Sequence, residues 1–287
     1  MHKNRNYKSG FTLIELAVVL IIISLMLGFL VAGRDLMRSA ENSSVIADIT
    51  YYSTARKQFE KTYGYLPGDV PVAYLNDTKA FGDPGVATNF AAQTCGFTTG
   101  IGKWGVLGVP ASMVIQDLAW LQLSYTKMIE QNISFDPCAI AAGTPRLPGV
   151  HRPFAKFSNQ AGVTFLEWVR IVAPDASLHQ FIKILRIGKP DATGSDTALA
   201  DGVLSVKALR EIDRKLDKPE TPTSGRFFAV RSGTGSGGIG PSGLPDQNAC
   251  AVTDISTGSS VYPPDSDKEL CTANFADLDL GNHSWIP

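Results

Sequence analysis

The chain has few of the residues that build metal sites, nucleophilic sites or nucleic-acid surfaces. It contains four histidines and four cysteines in 287 residues, and no two cysteines form a CxxC pair. Its 26 basic and 27 acidic side chains give a net charge of −1, so it lacks the basic surplus typical of nucleic-acid binding proteins. At 44% hydrophobic and 18% charged, it is too apolar for an intrinsically disordered chain. We therefore expect a folded protein, and its composition gives no support to a catalytic centre, a cofactor, a cysteine–histidine metal site or a nucleic-acid partner.

Two patterns near the C-terminus resemble binding motifs but lack the context that such motifs need. The formal GxGxxG at 233–238 is followed by further glycines and prolines, so no helix follows whose amide groups could hold a phosphate. Acidic residues also cluster there without EF-hand spacing, and surface loops explain them as well as calcium does. The acids concerned are Asp246, Asp254, Asp265, Asp267 and Glu269. Calcium binding by these loops is left open.

One long hydrophobic run stands near the N-terminus. It extends over 23 residues from Phe11 to Gly33. At about 1.5 Å per residue it reaches roughly 34 Å, which is enough to cross a hydrocarbon core of about 30 Å. The run is too long for the apolar core of a cleaved secretory signal. Lys3, Arg5 and Lys8 precede it without any acid, which predicts a cytoplasmic N-terminus and a C-terminal bulk on the other side of the membrane.

Glu15 does not fit a plain membrane anchor, because it lies inside the apolar run. A carboxylate deep in a bilayer costs about 2.5–3.5 kcal/mol on insertion scales, so it normally has a partner. One interpretation places Glu15 near the membrane face, where its side chain reaches the head groups. The other gives it a positively charged partner from a neighbouring copy of the chain.

The residues around Glu15 resemble a known processing signal. Lys8-Ser9-Gly10 followed by Phe-Thr-Leu-Ile-Glu-Leu at 11–16 is similar to the class III signal of type IV pilins and type II secretion pseudopilins. The resemblance implies that a prepilin peptidase cuts between Gly10 and Phe11, and that the new amine of Phe11 is N-methylated. It also implies that Glu15 pairs with the Phe11 amine of an adjacent subunit during assembly. Two buried charges attract strongly only in the correct register, so this pair would act mainly on register.

The resemblance carries expectations about function and location. It implies a structural, non-enzymatic subunit of a type IV pilus or type II secretion filament. Its partners would be prepilin peptidase, other pilin or pseudopilin subunits, the membrane assembly platform and inner-membrane lipid. The chain would cross the bacterial inner membrane once, with its C-terminal domain in the periplasm, before entering a periplasmic or surface filament. The alternative is a single-pass anchored periplasmic domain that binds a ligand or catalyses a reaction.

The predicted organisation is a leader at 1–10, an N-terminal helix at 11–63 and an extracytoplasmic head at 64–287. We expect an α+β fold, in which the long helix packs on a globular head with a small antiparallel sheet. The membrane part of the helix is 11–33 and the amphipathic part is 34–63. In the amphipathic part, apolar residues recur at helical spacing and predict a buried stripe, with Asp48 among the polar residues at other positions. The stripe consists of Val45, Ile49, Tyr52, Phe59 and Tyr63.

Within the head, periodicity predicts a handful of elements. Gly64 suits a helix C-cap, and Pro67 cannot continue the helix. The segment 63–69, Tyr-Gly-Tyr-Leu-Pro-Gly-Asp, resembles a turn found after the first helix of many pilin-like proteins. We expect helices at 113–131 and 203–216, strands at 163–172 and 226–230, and either strand or helix at 178–187. The segment 77–108 is predicted to form loops, and the tail 232–287 is predicted to be mostly turns.

All four cysteines follow the apolar run, on the side expected to be oxidising. The simplest pairing is Cys95–Cys138 with Cys250–Cys271, and the two other pairings stay open. We interpret the cysteines as structural disulfides and not as metal ligands, because no histidine stands at ligand spacing. Such a disulfide would hold a glycine-rich tail in place. His151, His179 and His283 are interpreted as surface or hydrogen-bonded core residues.

Overall fold

The structure is a computed structural model that describes residues 12–71, 74, 110–140, 144–171, 179–190, 202–216, 227–231, 250, 252–253, 260–262 and 269–276. The chain divides into two compact units between Asn42 and Ser43. A long N-terminal helix and an antiparallel sheet in the second unit confirm the predicted α+β class.

Helix α1 extends from Leu13 to Tyr63. No proline interrupts the sequence before Pro67, so no position within the helix lacks an amide donor. The helix ends as predicted at Gly64, which has a φ of +76° and donates its amide to the Glu60 carbonyl at 2.8 Å. A left-handed residue at this position is inexpensive only for glycine, and it closes the last turn.

The C-terminal part of α1 buries the predicted apolar stripe except at its end, where Tyr63 is only partly buried. Val45, Ile49, Tyr52 and Phe59 are each at most 2% exposed and belong to the main hydrophobic core. Asp48 corrects the sequence interpretation, because it lies on this buried face and is 0% exposed. Helical periodicity identifies the core face by its apolar residues. It cannot identify a carboxylate that is buried on the same face because a hydrogen-bond donor is available there.

Helix α2 extends from Pro110 to Tyr125 and therefore starts and stops earlier than predicted. The chain leaves the helix because Lys127 adopts a left-handed φ of +58°. Trp120 is fully buried. Its ring stacks on Phe165 with centroids 4.4 Å apart, and it packs nearly perpendicular to the Tyr52 ring with centroids 5.4 Å apart. Trp120 therefore joins α1, α2 and the sheet.

The turn after α1 is fitted closely against α2. Gly68 has a φ of +86° and donates its amide to Gln122 Oε1 at 2.6 Å. A Cβ atom built at Gly68 would lie 2.1 Å from the Ile115 carbonyl oxygen and 2.8 Å from the Ala119 nitrogen. Both are backbone atoms of a helix, which cannot move aside as a flexible side chain would. The turn thus requires glycine at this position for its conformation and for the close approach.

We expect Gly68→Ala to lower the free energy of unfolding by about 2–4 kcal/mol, through left-handed strain and a forced shift of α2. The matched control is Gly64→Ala, which shares the positive φ but has open space around its Cβ. That variant should lose only about 1 kcal/mol. Urea unfolding of the full chain in detergent, followed by tryptophan fluorescence, measures both. Equal losses would contradict the packing argument.

The sheet is antiparallel in every described pair. Its strands are β1 Phe154–Ala155, β2 Ser158–Ile171, β3 His179–Gly188, β4 Leu204–Ser205, β5 Phe227–Arg231 and β8 Glu269–Ala276. They follow the order β1-β2-β3-β8-β4, and β5 pairs with β8 as well. Strands β2 and β3 form the longest pairing, from Gly162 opposite Gly188 to Ile171 opposite His179. A separate two-stranded pair joins β6 Val252–Thr253 to β7 Ser260–Val261.

The expectation that the tail is mostly turns is wrong for its described residues, because β8 connects β3, β4 and β5. Apolar Cys271, Ala273 and Phe275 alternate with polar Thr272 and Asn274, which is a strand pattern that the sequence analysis missed. Cys271 and Phe275 enter the main core, whereas Asn274 on the other face is 0% exposed. Arg186 Nε, directly opposite on β3, donates to Asn274 Oδ1 at 2.8 Å. Alternation by itself would place this polar face in solvent, whereas contacts across the sheet bury it.

The other predicted elements appear with adjusted bounds. The strand at 163–172 is the middle of the longer β2, and the ambiguous segment 178–187 is strand β3. The helix predicted at 203–216 begins with the short strand β4 and continues as α3, Val206–Leu216. The predicted strand at 226–230 is β5. The loops predicted at 77–108 and the GxGxxG at 233–238 lie outside the described residues.

Candidate assembly segment and buried ion pairs

The first turns of α1 present an apolar surface on all sides. Every large hydrophobic side chain described between Leu13 and Leu30 is 46–88% exposed. Among the described residues, α1 is the one helix long and apolar enough to cross a membrane. A helix that is apolar all round requires lipid or other helices around it. The segment is therefore suited to membrane anchoring and to packing between helices.

Glu15 forms a reciprocal hydrogen-bonded cap with Thr12 at the start of α1. The Thr12 amide and the Thr12 hydroxyl both donate to Glu15 Oε2 at 2.8 Å. The Glu15 amide donates in return to Thr12 Oγ1 at 3.4 Å. This is a capping box, in which a threonine and a glutamate three residues later satisfy free amides of the first turn. Sequence analysis missed it, although the Thr-x-x-Glu spacing was the signal that could have revealed it.

The other residues of the processing signal lie beyond the described part of the chain. Gly10 and Phe11 are outside the described residues, so cleavage between them and N-methylation of Phe11 stay predictions. The pairing of Glu15 with the Phe11 amine of another subunit is likewise a prediction. What the structure adds is that Glu15 already accepts two hydrogen bonds within its own chain.

The sequence comparisons concern this same N-terminal segment. A family model described as the prokaryotic N-terminal methylation motif matches residues 5–31. The chain carries the type IV pilin and pseudopilin signal. No curated protein and no solved structure matches the chain. The comparisons thus identify the prepilin-type signal at the N-terminus. They provide no relative for the head.

Two tyrosines of α1 attach the helix to the head by polar contacts. Tyr51 Oη accepts the Glu130 amide at 2.8 Å. Tyr52 Oη donates to the Phe154 carbonyl at 3.3 Å and accepts from Gln131 Nε2 at 3.2 Å. These bonds join residues about 80 to 100 positions apart, so no local sequence pattern could have revealed them. They fix the second half of α1 against the segment after α2 and against β1.

A buried ion cluster connects α2 to the segment that follows it. Asp117 of α2 is 0% exposed and bonds to two arginines. Arg146 Nε lies 2.7 Å from Asp117 Oδ2, and Arg152 Nη2 lies 3.3 Å from Asp117 Oδ1. Arg152 Nη2 is also 3.4 Å from Gln116 Oε1. A buried carboxylate is stable here because both of its oxygens are paired with cations.

The cluster anchors the loop 144–153 from its two ends. Arg146 and Arg152 are buried, whereas Leu147 and Val150 between them are about half exposed. The His151 Nδ1 atom accepts the Leu147 amide at 3.0 Å, and burial lowers the pKa of His151. The neutral imidazole is therefore a hydrogen-bonded structural residue. No group of three or more metal-ligating side chains occurs in the described ranges.

The disulfide of the tail connects Cys250 to Cys271 on β8, with Cα atoms 5.8 Å apart. This is the pairing favoured by the sequence, and it closes a loop across a separation of 21 residues. In the chain-entropy model such a bond contributes about 3 kcal/mol. Cys138 is disulfide-bonded as well, and Cys95 lies outside the described residues, so its pairing stays a prediction.

Proposed function

We propose that the chain is a structural subunit, a pilin or pseudopilin, of a type IV pilus or type II secretion filament. A prepilin peptidase cuts it between Gly10 and Phe11 and the new N-terminus is methylated. The subunit then packs into the filament through α1, with no catalytic activity of its own. The observation that carries this proposal is the methylation motif at 5–31 at the start of a helix that is apolar on every side.

The basic leader supports an orientation with the head in the periplasm. Lys3, Arg5 and Lys8 favour the cytoplasmic side of the inner membrane, where the peptidase site must also lie. Cysteines occur only beyond the apolar run, and Cys250 and Cys271 are bonded. A disulfide is typical of an oxidising compartment such as the bacterial periplasm.

The exposed surface of α1 supports storage in the membrane followed by assembly. In lipid the apolar side chains of the helix contact acyl chains, and in a filament the same side chains contact other helices. Lipid and helix contacts are chemically similar, so the transfer changes apolar burial little and depends on packing and polar pairing. A membrane assembly platform would drive the exchange, and other pilin or pseudopilin subunits would receive the helix.

The mature N-terminus tests this function. We expect the protein isolated from its bacterial host to have 277 residues, ten fewer than the 287 of the sequence, and to begin with N-methyl-phenylalanine at Phe11. Intact-mass and N-terminal peptide mass spectrometry measure both features. Retention of Met1 would contradict the proposal and support an anchored periplasmic domain.

Two leader variants provide the controls. Gly10→Leu should keep the full leader, because the residue before the cut belongs to the signal, whereas Ser9→Ala should be processed. Deletion of the gene, tested in parallel for surface pili and for secreted proteins, then separates a pilus subunit from a secretion pseudopilin. The large head favours a minor or specialised subunit over a major one.

A further inference from the structure

Asp48 is a buried acid in the apolar interface between the C-terminal part of α1 and the rest of the head. It lies on the face of α1 that packs on the head and is 0% exposed, between the core residues Val45, Ile49 and Tyr52. It lies 15 residues beyond the apolar run that ends at Gly33, so its surroundings are the protein interior. A carboxylate in such a place requires a specific partner, because burial without one is costly.

The partner of Asp48 is the tight turn between β1 and β2. Asp48 Oδ2 accepts the backbone amide of Lys156 at 2.7 Å. Among the described residues, no donor reaches the other oxygen, Oδ1, and no cationic side chain lies within 4.0 Å of the carboxylate. An ionised carboxylate can accept about four hydrogen bonds, and this one receives a single bond. The ionised form is therefore poorly compensated.

The other titratable groups around Asp48 do not replace the missing bonds. The Lys156 ammonium lies over the Tyr51 ring, 4.8 Å from its centroid. Tyr52, one turn along α1, donates its hydroxyl to Phe154. Burial, together with the charges of Asp48, Tyr51 and Glu130, raises the pKa of Tyr52, so its phenol stays neutral. The Glu130 side chain is exposed to solvent.

We propose that Asp48 is a pH-sensitive clasp between α1 and the β1–β2 turn, which tightens when the carboxylate takes up a proton and loosens when it ionises. The neutral carboxyl keeps its acceptor for the Lys156 amide and no longer carries an uncompensated charge. The ionised carboxylate keeps the same bond but remains desolvated. Mild acidification therefore strengthens the attachment of the helix to the head.

The pH range follows from the shift in the pKa of Asp48. Burial raises this pKa from 3.8 to about 6, against the opposing effects of the Lys156 amide and ammonium. Because the folded state binds the proton more tightly than the unfolded state, the stability due to this group is greatest at low pH. That stability falls as the pH rises from about 4 to about 6 and is lost above.

The test compares the full chain in detergent with Asp48→Asn. Urea unfolding at pH 5 and pH 7, followed by tryptophan fluorescence, should give a wild-type unfolding constant roughly tenfold smaller at pH 5. Asp48→Asn cannot ionise, so its ratio between the two pH values should lack this factor, whatever its starting stability. The control Glu130→Gln removes a nearby exposed acid and should keep the factor.

A direct titration keeps the proposal testable if the variant does not fold. In protein labelled with carbon-13 at aspartate carboxyl groups, the buried Asp48 signal of the wild type should titrate near pH 6. Titration near or below pH 4 would overturn the proposal. So would an unchanged pH dependence in Asp48→Asn.

Discussion

Glu15→Gln is expected to abolish efficient assembly while leaving the chain in the membrane. Glutamine still suits the third position of a capping box, so the first turn of α1 keeps its hydrogen bonds to Thr12. What it loses is the negative charge that the Phe11 amine of a neighbouring subunit would meet. Leaving one buried charge without its partner costs about 3–5 kcal/mol, which predicts at least a tenfold loss of filament. The ratio of sheared filament to membrane pool, measured by immunoblotting, reports the loss.

Thr12→Val separates the cap from the charge. This variant removes the hydroxyl that both donates to Glu15 Oε2 and accepts the Glu15 amide, and it leaves the carboxylate in place. A lost N-cap costs about 1 kcal/mol, so assembly should fall only slightly. The opposite result, in which Thr12→Val fails and Glu15→Gln assembles, would show that Glu15 serves the helix start and not the neighbouring subunit. Glu15→Ala and Glu15→Leu, which remove both roles, should fail in either case.

Asp117→Ala is expected to lower the free energy of unfolding of the head by about 3–5 kcal/mol. The substitution leaves the buried guanidinium groups of Arg146 and Arg152 without the carboxylate that they share. It also releases both ends of the loop 144–153 from α2. Urea unfolding of the full chain in detergent, followed by the near-ultraviolet circular dichroism of the head, measures the change.

Two variants control for this result. Asp117→Asn keeps an acceptor for Arg146 Nε but removes the charge, so its loss should fall between those of wild type and Asp117→Ala. Glu130→Gln removes an exposed acid from the segment after α2, and it should change the stability by no more than about 0.5 kcal/mol. A loss below about 1 kcal/mol for Asp117→Ala would mean that the cluster does not anchor the loop.

Local patterns predicted the helices well and the sheet only in part. The stripe from Val45 to Phe59 and the cap at Gly64 follow from helical spacing and from glycine's tolerance of positive φ. Strand β2 was found because β-branched residues concentrate there. Strand β8 was missed although apolar and polar residues alternate from Cys271 to Phe275. The alternation also misleads about burial, because it places Asn274 in solvent, whereas Asn274 is buried against Arg186. The pattern method assumes that buried means apolar, and it fails where buried polar groups satisfy one another.

The candidate site shows the same division. The processing signal at Gly10 and Phe11 and the acid at Glu15 were recognised from contiguous residues, and the family comparison supports the segment that contains them. The partners of Asp48 and Asp117 were not foreseen. Asp48 meets Lys156 across 108 positions, and Asp117 meets Arg146 across 29. Nothing near either acid in the sequence indicates such a partner.

The sequence by itself determined the membrane-length apolar helix, its processing signal and the point where the helix ends, since each depends on neighbouring residues within a few turns. Only the tertiary structure decided that β8 is the hub of the sheet and which acids are buried. It also decided which distant amides and cations meet those acids. The physical reason is that the cost of burying a charge depends on the groups that the fold brings close to it. The separation of two residues in the sequence does not indicate how close they are in space.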